Sequence, residues 1–325
     1  MELGATLKIL VTGGAGFIGS YFVKRQLDKN PLGISEIIVL DKLTYAGNME
    51  NFSKNERELF RFVKADICDV NATDSIIKTA DYVVNFAAES HVDRSLVDAS
   101  AFLNSNTLGT QVLLENCRRH GIEKFVQIST DEVYGSIAEG SWDENFPLMP
   151  NSPYSASKAS ADLIVRAYQK TFGVNTNVTR CSNNYGPYQY PEKIIPLFVT
   201  NLIQKKKLPM YGTGSNIREW IHVEDHCRGI ELVISDGKSG EIYNIGSDNE
   251  MTNLELARLI LKEMGEDESR IDFVDDRQGH DFRYSVSSER ISRELGFAPQ
   301  IDFLKGLRST IEFYKNERSW WEPLK

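Results

Sequence analysis

Tyr154 and Lys158, four residues apart, form the most reactive pair that the sequence offers. They follow Pro153, which is typical of the first turn of a helix, and residues spaced by four share one helix face. A core ring beside a surface amine is the structural alternative. An ammonium group can, however, lower the pKa of a neighbouring phenol, so that the phenolate accepts a proton near neutral pH. The pair therefore predicts Tyr154 as a base toward a substrate hydroxyl and Lys158 as its pKa-lowering partner and a ribose contact.

Two adjacent carboxyl groups, Asp131 and Glu132, follow Thr130 after the apolar run 125–128. A helix cap with acidic residues in its first turn would explain them structurally. Next to a newly formed ketone, however, a carbon-bound proton is acidic. One carboxylate can remove that proton while a protonated one donates to a departing hydroxyl, and different surroundings can split two like groups into base and acid. The sequence thus predicts oxidation of an alcohol followed by loss of water, with these catalytic residues: Thr130, Asp131, Glu132, Tyr154 and Lys158.

Apolar runs that resemble strands alternate with helical stretches through the first half of the chain. The runs are 7–12, 37–40, 60–63, 82–86 and 125–128, and a further strand includes residues 178–179. Such alternation predicts an α/β fold, a Rossmann-type doubly wound parallel sheet that binds ligands at the carboxyl ends of its strands. After about residue 180 the pattern loosens into shorter elements punctuated by prolines, which predicts a smaller C-terminal substrate-binding domain.

The sequence GGAGFIG at residues 13–19 joins the first predicted strand to the first predicted helix. Its glycines permit a tight turn, close approach of a pyrophosphate and close helix packing. A carboxylate at Asp41, the end of the second strand, would bind a ribose diol and repel a 2′-phosphate, which favours NAD over NADP. The alternative for Asp41 is a turn cap, and the adjacent Lys42 could soften the preference. The turn and the ends of the neighbouring strands predict cofactor contacts at Gly13, Gly16, Gly19, Asp41, Asp66, Ile67, Ala87 and Ala88.

Composition narrows the class of protein. The formal net charge of −9 over 325 residues argues against a nucleic-acid surface. The four scattered cysteines favour reduced thiols in a cytoplasmic protein, and the five histidines show no ligand spacing, so we expect no metal. The start, residues 1–8, has no signal pattern, and no apolar run approaches the length of a membrane span.

Seven further segments resemble the extended short-chain dehydrogenases/reductases, and among them the dTDP-glucose 4,6-dehydratases, from Ile9 to Trp321. The acidic pair is the most specific feature, since sugar epimerases of similar build usually lack it. Gln278 and Phe282 depart from the family's usual Pro and Arg near the nucleotide end, which puts base selectivity in doubt. The matching segments are 41–48 (DKLTYAGN), 87–95 (AAESHVDRS), 129–135 (STDEVYG), 180–187 (RCSNNYGP), 191–193 (PEK), 222–226 (HVEDH) and 279–281 (GHD).

The resemblance implies a cycle that converts dTDP-glucose to dTDP-4-keto-6-deoxy-glucose and water. Tyr154, helped by Thr130, takes the 4-hydroxyl proton while hydride leaves carbon 4 for NAD. Glu132 then removes the carbon 5 proton, Asp131 protonates the 6-hydroxyl, and hydride returns to carbon 6. Further NAD contacts are implied at Phe17, Ile18, Lys42, Thr44, Ser105, Tyr154, Lys158 and Asn184. Nucleotide-sugar contacts are implied at Ser90, His91, Thr130, Asn183, Lys193, Ile194, Pro209, Tyr211, Arg218, Asn253, Arg277 and His280.

The resemblance also implies an organisation. Residues 1–180, with about 219–234, would form the NAD-binding Rossmann domain, and residues 181–325 a discontinuous nucleotide-sugar-binding domain. Family members pair through two helices each, here about 99–120 and 153–172, which implies a homodimer with a four-helix bundle.

Two alternatives stay open. One is another reaction of this class, such as a UDP-sugar 4-epimerase, a decarboxylase or a 4,6-dehydratase acting on UDP-glucose. The other is a non-catalytic NAD sensor that binds a partner protein, although such proteins tend to lose the tyrosine or the lysine.

Overall fold

The computed structural model describes residues 7–325. Met1–Thr6, which include the predicted start of the first domain and most of the segment inspected for a signal pattern, lie outside the described residues. The strands are β1 (Leu7–Thr12), β2 (Ile34–Asp41), β3 (Arg61–Lys64), β4 (Tyr82–Asn85), β5 (Lys124–Thr130), β6 (Thr176–Cys181), β7 (Asn183–Tyr185), β8 (Leu208–Tyr211), β9 (Ile217–His222), β10 (Ile242–Ile245), β11 (Glu250–Thr252) and β12 (Ile271–Val274). The α-helices are α1 (Phe17–Asp28), α2 (Lys54–Arg57), α3 (Val70–Ile77), α4 (Val92–Val97), α5 (Ser100–Phe102), α6 (Gly109–His120), α7 (Pro153–Phe172), α8 (Ile194–Ile203), α9 (Val223–Asp236), α10 (Asn253–Met264), α11 (Glu289–Leu295), α12 (Phe303–Asn316) and α13 (Arg318–Trp321).

The central sheet is parallel and, within residues 7–325, has seven strands in the order β10-β6-β5-β4-β1-β2-β3. Every residue of β5 is buried, as expected for a strand covered by helices on both faces. From β1 the chain builds outward first through β2 and β3, then on the other side through β4, β5 and β6. This change of direction opens a crevice at the carboxyl ends of β1 and β4. The predicted Rossmann-type α/β class is confirmed.

The seventh strand, β10, is a feature that the sequence analysis missed. It pairs in parallel with β6, Ile242 opposite Val178, and consists of only four residues, too few for a recognisable period. The region 219–234 was predicted to rejoin the first domain, but its strand and its helix lie in different parts of the fold. Its strand, β9, lies between β11 and β7 in a separate sheet, while α9 packs against α1.

A second hydrophobic cluster lies beyond the central sheet. It includes Phe198 of α8, Leu256 of α10, and Leu307 and Tyr314 of α12, together with Trp321. The β8–β12 pair contributes to the same cluster. The shorter elements after residue 180 therefore bury a core of their own. None of the helices within residues 7–325 is long and apolar enough to cross a membrane.

A buried ion pair joins α9 to α1. Arg25 donates from Nη2 to Glu231 Oε2 (2.8 Å) and from Nε to Oε1 (2.9 Å), and both side chains are buried. Glu231→Gln leaves a buried guanidinium without its bidentate partner, so we expect the free energy of unfolding to fall by about 3 kcal/mol in urea denaturation. The exposed pair Lys8–Glu36 provides the control, because Glu36→Gln should cost less than about 1 kcal/mol. Equal losses in the two variants would contradict this account.

Candidate active site

The glycine-rich turn packs so closely against neighbouring backbone that side chains at two of its glycines would not fit. Gly13 has φ +66°, and a Cβ on it would lie 2.5 Å from the Ala87 backbone nitrogen. A Cβ on Gly19 would lie 2.4 Å from the carbonyl oxygen of Gly13. Gly16 begins α1 without a side-chain cap, so the first backbone N–H groups of the helix remain available to an anion. The turn fits a pyrophosphate, as the sequence predicts.

Asp41 stands beside this turn at the end of β2. Its carboxylate accepts hydrogen bonds from the backbone N–H groups of Ala15 (3.1 Å) and Leu43 (2.8 Å). The turn-cap alternative is therefore what the structure shows, and it does not compete with ribose binding, because an ionised carboxylate offers about four acceptor positions. Lys42 is held at the side, donating to Ser105 Oγ at 3.0 Å and lying 3.5 Å from Asp66 Oδ2.

One cavity of about 290 Å³ runs from the glycine turn to the acidic pair. Of the predicted cofactor residues, only Asp66 does not line this cavity, and its carboxylate lies 3.5 Å from Lys42 Nζ. The others line the cavity: Gly13, Gly16, Phe17, Ile18, Gly19, Asp41, Lys42, Thr44, Ile67, Ala87, Ala88, Ser105, Tyr154, Lys158 and Asn184.

All five predicted catalytic residues line the same cavity. Thr130 ends β5 and caps a single 3₁₀ turn, Asp131–Tyr134, by accepting the backbone N–H of Glu132 at 3.3 Å. The capping alternative for this segment is thus also present. This cap orients the side chains, because it fixes the backbone of the two acidic residues at the end of a buried strand. Tyr154 and Lys158 face them from the first turns of α7.

The two carboxyl groups differ in their surroundings. Asp131 is buried, and its Oδ2 has no hydrogen-bond partner within the described part of the chain. Burial, then the charges of Glu132 and Glu219, raise the pKa of Asp131 well above its usual range. Burial also raises the pKa of Glu132, but Arg277, Lys193 and Arg218 oppose that shift. The arrangement favours Asp131 as the protonated acid and Glu132 as the base.

The structure differs from the sequence analysis at Tyr154. Burial, followed by the charge of Glu132, raises the pKa of its phenol well above the usual range, whereas we expected Lys158 to lower it. Lys158 Nζ instead donates to the carbonyl oxygen of Ile128 at 2.5 Å. Burial in turn lowers the pKa of Lys158. The role of Lys158 as an activator of Tyr154 stays a prediction.

A buried polar network supports the acidic turn from behind. Arg180 on β6 donates to Asp162 Oδ2 (2.9 Å) and to the hydroxyl of Tyr134 (2.8 Å), which donates to Asn244 Oδ1 (2.9 Å). Because Tyr134 ends the 3₁₀ turn, these bonds fix its position. The sequence analysis missed this network. An arginine inside a buried strand was the available signal, since such a charge needs a partner.

A second cavity of about 220 Å³ meets the first at Glu132, Asn183 and Lys193. Among the predicted nucleotide-sugar contacts, Ser90 and Thr130 line the first cavity, and Asn183 and Lys193 line both. The second cavity is also lined by His91, Ile194, Pro209, Tyr211, Arg218, Asn253, Arg277 and His280.

Two guanidinium groups dominate the second cavity. Arg218 is buried, donates from Nη2 to the carbonyl oxygen of Asp281 (2.9 Å) and stacks over the ring of Tyr284 at 4.3 Å. Arg277 Nη1 lies 3.4 Å from Asp93 Oδ1, and its buried Nε has no partner among the described residues. Planar donors held in this way suit bidentate binding of a phosphate group.

Glu192 is a site residue that sequence reasoning left unassigned. It lines both cavities, accepts a hydrogen bond from Arg94 Nη2 at 3.1 Å and lies 3.7 Å from His91 Nε2. It follows Pro191 and precedes Lys193 in the segment PEK, of which we assigned only the lysine. Its acidic character gave no signal, because a carboxylate in a loop is ordinarily solvated.

Comparison with known proteins decides the family. Residues 10–310 match the family model described as GDP-mannose 4,6 dehydratase. Over 322 residues the chain is 53% identical to the dTDP-glucose 4,6-dehydratase of Streptomyces niveus, an alignment that covers 98% of this chain and 96% of that protein. The chain belongs to the dTDP-glucose 4,6-dehydratase family.

Comparison with solved structures leads to the same family. DesIV, a dTDP-glucose 4,6-dehydratase from Streptomyces venezuelae crystallised with NAD bound, is 52% identical and superposes with a TM-score of 0.96, covering 98% of this chain and all of that one (100%). The UDP-glucose 4-epimerase of Thermotoga maritima, crystallised with UDP-glucose, is 28% identical with a TM-score of 0.88, covering 95% and 99%. The resemblance stated from the sequence is confirmed.

The buried carboxyl group of Asp131, whose Oδ2 has no hydrogen-bond partner among the described residues, should reduce stability. Because its folded pKa is raised, the native state keeps a proton that the unfolded chain releases above about pH 4, so stability falls as the pH rises. Asp131→Asn removes this penalty. We expect its urea midpoint to exceed that of the wild type at pH 8, with the difference shrinking toward pH 5.

Asp162→Asn is the matched control. The same substitution there weakens the buried pair with Arg180 and should lower the midpoint at both pH values. A midpoint for Asp131→Asn at or below that of the wild type at pH 8 would show that the carboxyl group carries no burial penalty.

Proposed function

We propose that this chain is an NAD-dependent dTDP-glucose 4,6-dehydratase. It converts dTDP-glucose to dTDP-4-keto-6-deoxy-glucose and water. The observation that carries the proposal is the position of Asp131 and Glu132, which share one cavity with Tyr154 at the junction with an arginine-lined cavity. The family membership and the NAD-bound relative of 52% identity support it.

The first cavity fits the cofactor. Bare backbone at the glycine turn receives the pyrophosphate, and Asp41 receives the ribose hydroxyls. NAD bound there supplies the hydride acceptor for oxidation at carbon 4 and the hydride donor for reduction at carbon 6. The second cavity holds the nucleotide, with Arg218 and Arg277 on the diphosphate. The hexose then lies between the two cavities, next to Glu132.

The side chains divide the proton transfers. Tyr154 accepts the proton of the 4-hydroxyl, with Thr130 beside it. Glu132 removes the carbon 5 proton. Burial raises its pKa, but the charges of Arg277, Lys193 and Arg218 oppose that rise and favour the ionised form. Asp131, whose pKa burial raises well above its usual range, donates to the 6-hydroxyl and releases it as water. The strongly raised pKa of Asp131 suits an acid, and the cations beside Glu132 suit a base.

We further propose the organisation that the resemblance implies. The expected division is residues 1–180 with about 219–234 for the NAD-binding domain and residues 181–325 for the nucleotide-sugar-binding domain. The separate hydrophobic cluster supports the second domain, whereas β10 extends the sheet of the first domain and β9 lies outside that sheet. The cysteines of the described chain are free thiols, three of them buried, which supports a cytoplasmic location.

A homodimer through a four-helix bundle is part of the same proposal. Apolar side chains are exposed on the helices concerned: Leu103 and Leu108 between α5 and α6, and Leu163 (57% exposed) and Phe172 on α7. Covering them by a second copy would remove apolar surface from water. Light scattering after gel filtration should give twice the mass of one chain, and the mass of a monomer would refute this part.

Substitutions at the site should separate oxidation from elimination. Tyr154→Phe removes the group that accepts the 4-hydroxyl proton, so no NADH absorbance should form with dTDP-glucose. Glu132→Gln keeps that group but cannot remove the carbon 5 proton. We expect NADH to accumulate in single-turnover stopped flow while product formation falls by about 100-fold or more. Normal turnover of Glu132→Gln would overturn the assignment of the carbon 5 base.

Substrate comparison tests the function as a whole. With dTDP-glucose we expect the 4-keto-6-deoxy product, identified by mass and NMR. Phe282, exposed near the nucleotide end, is the reason to run UDP-glucose in parallel. Dehydration of UDP-glucose alone would reassign the base, and epimerisation at carbon 4 would favour the epimerase alternative. Bound NAD with no turnover of either sugar would favour the non-catalytic sensor.

A further inference from the structure

Trp320 lines the proposed cofactor cavity together with Leu324, although both are far in sequence from the predicted cofactor residues. It belongs to α13 and to the hydrophobic cluster of the second part of the chain. Its indole Nε1 donates to Asn51 Oδ1 at 3.0 Å. Asn51 Nδ2 in turn donates to the carbonyl oxygen of Ala15 at 2.9 Å. A buried amide thus links Trp320 to the middle of the glycine-rich turn.

Both members of this link are held in place. Asn51 is 2% exposed, and Trp320 is 9% exposed. The indole packs edge-on against Tyr188 (ring centroids 5.4 Å) and Phe313 (5.6 Å). The Ala15 carbonyl accepts a second hydrogen bond, from the backbone N–H of Asn48 at 2.9 Å. The orientation of this peptide group is therefore set by residues outside the turn.

The consequence concerns the backbone that receives the cofactor. Ala15 lies between Gly13 and Gly16, where the chain has little intrinsic conformational preference. A donor that fixes the Ala15 carbonyl limits rotation of the Ala15–Gly16 peptide, whose N–H donates to the Gly13 carbonyl oxygen at 3.1 Å, and so holds the conformation of the turn. The same indole forms part of the cavity wall. Loss of the link would loosen the turn and the wall together.

We propose that Trp320 is a positioning residue for the cofactor site, acting through Asn51 to slow the dissociation of NAD. The inference rests on the proposed function, in which one NAD molecule is oxidised and reduced again in each cycle. An enzyme of this kind gains from slow cofactor release. The link also connects the nucleotide-sugar half of the molecule to the cofactor turn.

Trp320→Phe tests the link, because it keeps an aromatic ring but removes the N–H donor and leaves Asn51 Oδ1 buried without its partner. We expect NAD to dissociate about 10-fold faster than from the wild type. The measurement is the loss of bound NAD during rapid gel filtration, quantified by chromatography of the released nucleotide. No sugar nucleotide is needed. Asn51→Ala breaks the same link from the other side and should give a similar increase.

Trp321→Phe is the matched control. Trp321 belongs to the same helix and is fully buried, and its Nε1 donates to the carbonyl oxygen of Tyr314 (2.8 Å), away from the cavity. It should lower the thermal stability yet retain NAD like the wild type. Equal NAD dissociation in Trp320→Phe, Asn51→Ala and the wild type would refute the proposal, as would equal acceleration in Trp321→Phe. A wild-type chain that binds no NAD would refute the proposed function itself.

Discussion

Two carboxyl groups withdrawn from water at the end of a buried strand are the constraint on which the rest of the site depends. Asp131 and Glu132 are neighbours in sequence, so each raises the cost of ionising the other. The fold accepts that cost by capping their turn with Thr130 and by bracing Tyr134 against Arg180. This electrostatic cost falls at the site where the proposed chemistry uses the carboxyl groups, and packing elsewhere offsets it.

The acidic pair lies between two cavities, so different charged groups face it on its two sides. Toward the second cavity stand Lys193, Arg218 and Arg277, whose charges favour ionised Glu132. Toward the interior stands Glu219, fully buried and bonded to backbone N–H groups, whose charge opposes ionisation of Asp131. The different surroundings of these two adjacent carboxyl groups support the proposed roles of Asp131 as acid and Glu132 as base.

Local patterns were sufficient to predict six strands of the sheet, the glycine turn and part of the lining of the first cavity, while the family resemblance supplied the other lining residues. Each depends on neighbours in sequence: a strand followed by glycines, or a capped turn after an apolar run. What the sequence did not reveal depends on long-range contacts. The strand β10 is too short to show a period, and the partner of Arg180 is set by the packing of α7 on β6. The hydrogen bond between Lys158 and the Ile128 carbonyl likewise needs the tertiary structure, because a shared helix face does not fix where a long side chain points.

We assign removal of the carbon 5 proton to Glu132 and protonation of the leaving hydroxyl to Asp131. Deuterium incorporation at carbon 5 separates the two steps most directly. In heavy water, Asp131→Asn should lose water from dTDP-glucose slowly yet still exchange the carbon 5 proton, while Glu132→Gln should exchange none. Exchange that persists in Glu132→Gln, or that disappears in Asp131→Asn alone, would contradict the account.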